Sequence, residues 1–77
     1  MDLRRIRHFV VLAETLNFRR AAERLHMAQP PLSVSIQKLE SELRAKLFAR
    51  ESSGVVLTQA AVPFWFKPAN SWFEASS

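Results

Sequence analysis

Two adjacent prolines, Pro30 and Pro31, followed by aliphatic residues at helical spacing, constrain this chain more than any other feature. Proline lacks an amide proton and clashes with the preceding turn, so a helix tolerates it only in its first turn, where those protons go unpaired anyway. The pair therefore predicts a helix that starts near Gln29. Leu32, Ile36, Leu39 and Leu43 then fall at i, i+4, i+7 and i+11, one narrow apolar stripe that must turn inward. At 100° per residue, the opposite half carries Pro30, Ser33, Val34, Gln37, Lys38 and Ser41, a face that is polar but hardly charged.

Two further helices precede it. Leu3, Ile6, Phe9, Val10 and Ala13 recur at spacings of three and four with Asp2 placed to cap, which predicts an amphipathic helix over 3–15 whose outer face carries Arg4, Arg7 and His8. Asn17 is a good N-cap for a short helix over 18–25, with Phe18, Ala21, Ala22 and Leu25 inward and Arg19, Arg20, Glu23 and Arg24 outward. The small pair Ala21 and Ala22 suits the close helix crossing of a helix-turn-helix, and equally suits ordinary helix formation.

After Leu43 the period changes. Leu47 and Phe48, then Glu51-Ser52-Ser53-Gly54, then Val55-Val56-Leu57 predict two short strands joined by a turn that the only glycine, Gly54, reverses. A two-stranded ribbon is marginal alone, so Leu47, Phe48 and Leu57 should lean on the helices. The expected fold is mainly α, a winged helix-turn-helix of three helices plus a two-stranded β wing over residues 1–58, with no long linker helix.

Residues 59–77 differ in kind: 61–77 contain Pro63, Pro68 and five of the eight aromatics. Thr58 could cap a helix, but Pro63 would interrupt it at a cost of roughly 3 kcal/mol. The basic character lies in residues 1–58, which hold ten of the eleven Lys and Arg and six of the seven Asp and Glu. A net charge of +4 favours polyanionic partners without identifying one. With no cysteine, disulfides, thiolate metal sites and cysteine nucleophiles are excluded, which suits a reducing cytoplasm. Charges near the start interrupt any secretory or membrane-spanning run, so no membrane partner is expected.

A helix that enters the major groove presents short hydrogen-bonding side chains near its N-terminus. Gln29, Ser33 and Gln37 meet that description, Pro30 and Pro31 give a rigid apolar edge suited to thymine methyls, and Lys38 suits phosphate. The same face would also serve as ordinary solvated surface; the surrounding architecture favours the groove. Arg4, Arg5, Arg19, Arg20 and Arg50 are candidates for phosphate contact. His8 and His26 lack ligand partners and read as surface or turn residues, while Glu40 and Glu42 point about 200° apart on their helix and cannot act as one acid–base pair. No catalytic constellation or cofactor site is read.

Phe9 to Ala13, Phe18, Ala21-Ala22-Glu23-Arg24-Leu25, Gln29-Pro30-Pro31-Leu32-Ser33, Ile36, Leu39-Glu40, Leu43, Leu47-Phe48, Arg50 and Leu57-Thr58 together resemble the N-terminal DNA-binding domain of LysR-type transcriptional regulators. The resemblance implies sequence-specific binding of double-stranded DNA. It places Gln29, Pro30, Pro31 and Ser33 near base edges and Arg50 at the wing near phosphate; joined to the reading of the residues themselves, the expected base-reading set is Gln29, Pro30, Pro31, Ser33, Val34 and Gln37 and the expected phosphate-binding set is Arg4, Arg19, Arg20, Lys38, Arg50 and Ser53. Family members act as dimers through a long linker helix and carry a small-molecule effector domain; neither is read here, so two copies are expected to associate weakly or not at all.

Several positions depart from the family pattern. Val34 and Ser53 stand where arginines are common, Arg44 where a glycine usually closes the recognition helix, and Ala28 where a capping serine is usual. The family's alanine-glycine signature becomes Ala60-Ala61, and similarity stops before Val62. That break motivates the hypothesis of a reading-frame shift near residue 61, leaving a tail unrelated to the domain or disordered; it fails if the other frames downstream encode no linker-helix pattern. The rival reading is a protein-interaction fragment or non-functional remnant whose aromatic tail mediates association.

Overall fold

The structure, a computed structural model, describes residues 2–52 and 54–62. Ser53 and the aromatic residues of the tail lie outside the described residues, and so do the expectations attached to them. The elements run α1 (Leu3–Thr15), α2 (Phe18–Arg24), α3 (Gln29–Leu43), β1 (Phe48–Glu51) and β2 (Gly54–Leu57), then one 3-10 turn, Gln59–Ala61.

Helix starts follow side-chain chemistry. Asp2 accepts from the Arg4 amide at 2.9 Å, and Asn17 accepts from the Arg20 amide at 3.0 Å, so each occupies an N-terminal donor that the helix leaves free. α3 starts differently: its N-cap, Ala28, makes no side-chain bond, and the prolines at the second and third positions of its first turn remove two donors that would otherwise need partners. Helix ends use left-handed residues at Leu16, His26 and Arg44, with φ of 51°, 56° and 55°. None is glycine, so each holds a backbone conformation that costs a side-chain-bearing residue roughly 1–2 kcal/mol.

The three helices enclose one core with the ribbon against it. Leu32, Ile36 and Leu39 of the α3 stripe are buried and Leu43 is half-buried, while Phe9, Leu12 and Ala13 of α1 and Ala21 and Ala22 of α2 meet them. The two alanines lie at the crossing, where a larger side chain would hold the helices apart. The ribbon is antiparallel, with Phe48 opposite Leu57, Arg50 opposite Val55 and Glu51 opposite Gly54. Phe48 and Val55 of the ribbon are buried, as is Leu47 just before it, and the Phe48 ring packs 5.6 Å from that of Phe9 at a tilt of 54°. The core reaches Ala61, which is fully buried.

Three expectations change. Leu3 is 82% exposed, because at the first turn of α1 the helical period assigns a direction but none of the described residues extends far enough to cover it. His8 is half-buried instead of lying on an outer face: its Nδ1 sits 2.7 Å from Ser35 Oγ, hydrogen-bonded across the α1–α3 contact. The turn is tighter than read, since Glu51 and Gly54 are themselves paired strand ends; Gly54 holds φ of 136°, a value that glycine adopts without strain.

Candidate nucleic-acid interface

With its stripe turned inward, α3 presents the other half of its circumference to solvent. Gln29, Pro30, Pro31, Val34, Gln37, Lys38 and Ser41 are exposed and Ser33 is half-buried. Around the helix axis, Pro30, Val34 and Ser41 form the outward crest. Ser33 and Gln37 lie on the side toward the wing, and Pro31 and Lys38 on the side toward α1.

Ser33 and Gln37 share a shallow groove with Phe18 at the start of α2 and Arg50 on β1. The Arg50 guanidinium carbon lies 4.7 Å above the centre of the Phe18 ring, a cation–π contact that holds the charged head at the groove edge. The groove also contains Glu40, whose Oε2 accepts from the amides of Leu47 at 2.8 Å and Phe48 at 3.2 Å. Lys46 Nζ approaches its other oxygen at 3.9 Å. This carboxylate ties the first residues of the wing to α3, and Thr58 closes the same end of the ribbon by donating its hydroxyl to the Lys46 carbonyl. Sequence reasoning weighed Glu40 only as a catalytic acid; its partners are backbone amides, which leave no residue-type signature. Glu42 meets a different neighbour, as the opposite directions of the two side chains required: Arg5 Nη1 lies 3.1 Å from its Oε2.

The ion pairs sort the cations. Arg4 pairs with Asp2, Arg5 with Glu42, Arg24 with Glu14 and Lys46 with Glu40. Among the described residues, Arg7, Arg19, Arg20, Lys38, Arg44 and Arg50 form no ion pair. Arg20 lies beside Glu14, Glu23 and Arg24 in a second depression, not in the groove with Ser33 and Gln37. Arg4 projects from the start of α1 with its side chain 85% exposed.

Two ionisable groups near α1 are displaced from their ordinary behaviour. Burial pushes the His8 imidazole below its usual value; Asp2 opposes that, while Arg4 and Arg7 reinforce it. The hydrogen bond from the Arg4 amide, assisted by the Arg4 and Arg5 charges, holds the Asp2 carboxyl below the usual carboxylate value against a small opposing effect of burial. Among the described residues no group of three or more His, Cys, Asp or Glu is placed to hold a metal ion, and no helix is long and apolar enough to cross a membrane.

Residues 3–62 match the family of bacterial regulatory helix-turn-helix proteins of lysR type. The chain is 62% identical over 58 residues to the HTH-type transcriptional regulator IlvR of Caulobacter vibrioides, covering 75% of this chain and 20% of that protein. It is 54% identical over 59 residues to the HTH-type transcriptional regulator XapR of Escherichia coli, covering 77% of this chain and 20% of that protein. The chain thus spans about a fifth of the length of these curated relatives. Among solved structures, it is similar to the CbnR_DBD–DNA complex, with a TM-score of 0.79 and 39% identity over 83% of this chain and 74% of that one. It is also similar to the BenM_DBD/benA site 1 DNA complex, with a TM-score of 0.80 and 44% identity over 86% of this chain and 74% of that one.

Proposed function

The chain belongs to the lysR family of bacterial regulatory helix-turn-helix proteins, and from that premise we propose that it binds duplex DNA sequence-specifically through the exposed half of α3, as the DNA-binding unit of a transcriptional regulator. The observation that carries the reading is the sorting of charge. Among the described residues Arg50, which lines the groove with Ser33 and Gln37, forms no ion pair, and neither do Lys38 on α3 and Arg19 on α2, whereas Arg5 and Arg24 are paired with Glu42 and Glu14. Similar domains in complex with DNA support the same assignment.

In this reading α3 enters the major groove from its N-terminal end. Gln29 and Gln37 offer paired donor and acceptor groups suited to adenine, Ser33 serves a base edge or a phosphate, and Pro30 and Pro31 pack on the groove floor. Arg4, Arg19, Arg20, Lys38 and Arg50 neutralise phosphates, and Ser53 would add a wing contact. Residues 1–58 form the binding unit. No cofactor takes part, and one copy reads one half-site, so affinity is low.

A gel-shift titration against random duplexes at two salt concentrations tests this. Five neutralised phosphates predict a loss of about five-hundredfold in affinity between 50 and 200 mM salt. Substituting Gln29 and Ser33 with alanine is expected to relax sequence preference while leaving the salt slope in place. Binding indifferent to salt, or preference unchanged by both substitutions, refutes the proposal.

A further inference from the structure

Val34 is 48% exposed at the middle of the α3 crest, with Pro30 exposed one turn before it. Residues four apart on a helix are neighbours, so the two make a short apolar strip. Ser33 and Gln37 border it on one side and Lys38 on the other. A β-branched residue on an open helix face lowers helix propensity slightly and offers no hydrogen bond, so what it presents to a partner is an apolar surface. Among the groups that distinguish base pairs in the major groove, the methyl on C5 of thymine is the apolar one; the others are donors and acceptors.

We infer that Val34, with Pro30 beside it, is a specificity residue that reads a C5-methylated pyrimidine. The inference rests on the DNA-binding reading and adds to it the chemistry of one base. Against cytosine, the isopropyl group loses the methyl contact. A methyl on C5 of cytosine occupies the same place in the groove as that of thymine, so binding at this base pair responds to cytosine methylation. Thymine and 5-methylcytosine are the two sources of the group.

The test uses the full 77-residue chain and a duplex enriched from a random pool by repeated gel-shift selection. Each thymine of that duplex is replaced in turn by deoxyuridine, which lacks only the methyl, and the responding position is then filled with cytosine or 5-methylcytosine. At one position deoxyuridine is expected to weaken binding about fourfold, the effect of one methyl-sized group kept in water, and 5-methylcytosine to bind more tightly than cytosine. Val34→Ala, which keeps the helix, is expected to abolish both differences and leave the salt slope unchanged. Equal binding of thymine and deoxyuridine at every position, no gain from 5-methylcytosine, or a preference that survives in Val34→Ala overturns this inference while DNA binding stands. If no duplex is enriched, the DNA-binding reading fails first and takes this one with it.

Discussion

Replacing Glu40 by alanine removes the one acceptor that both the Leu47 and Phe48 amides use at the entrance to the wing. Leu47 is fully buried and Phe48 nearly so, so their amides have little access to bulk water when the carboxylate is gone. A hydrogen bond to a charged acceptor contributes about 1.5–3 kcal/mol, and an orphaned buried donor costs a comparable amount. The two bonds share one oxygen, and the groove beside Glu40 can admit water to one of the amides. The expected loss is therefore about 2–3 kcal/mol, below the sum of two separate bonds. A domain of this size is stable by only about 0.05–0.15 kcal/mol per residue, so the change consumes a large share of the total. The midpoint of thermal unfolding should fall by about 10–20 °C. Glu40→Gln keeps an acceptor and gives up the charge, and should lose about half as much. Urea titration of the three proteins followed by circular dichroism measures the differences. If Glu40→Ala lies within about 0.5 kcal/mol of the parent, the carboxylate does not anchor the wing and the reasoning fails.

Three further outcomes follow from the same contacts. Ala28→Ser supplies α3 with the side-chain cap it lacks and should raise stability by about 1 kcal/mol in urea titration; an unchanged midpoint would show that the prolines had already made the cap redundant. Burial keeps the His8 imidazole harder to protonate in the folded chain than in the unfolded one, so the unfolded state takes up the proton first. Stability from this residue is complete above the ordinary value of 6.5 and declines as pH falls through 6.5 to the lower folded value. Urea midpoints between pH 8 and pH 5 should drop for the parent and stay flatter for His8→Gln; parallel curves would refute it. For DNA binding, Arg50→Ala should reduce the slope of log affinity against log salt by about one, whereas Arg24→Ala, whose charge is engaged by Glu14, should leave it unchanged.

The helices were legible because each declares itself locally. The prolines place the start of α3 at Gln29, Asp2 and Asn17 are capping residues by type, and the stripe through Leu32, Ile36 and Leu39 assigns an inward face by counting alone. The outward half of α3 followed from the same count, which is why Val34, Gln37, Lys38 and Ser41 could be named as surface residues without coordinates. The resemblance carried by these residues led to the family that residues 3–62 match.

Tertiary structure decided whatever depends on two distant segments meeting. His8 and Ser35 are 27 residues apart, and only the crossing of α1 and α3 turns an apparent surface histidine into a half-buried partner. Leu3 has the right period and no covering neighbour among the described residues. Glu40 reaches backbone amides seven and eight residues away, and Arg50 comes over Phe18 through the register of the ribbon. Periodicity and capping are properties of a few consecutive residues, so the chain's order contains them outright. Which cation remains free, which carboxylate becomes an anchor and which apolar residue stays wet depend on distances that exist only after the helices pack.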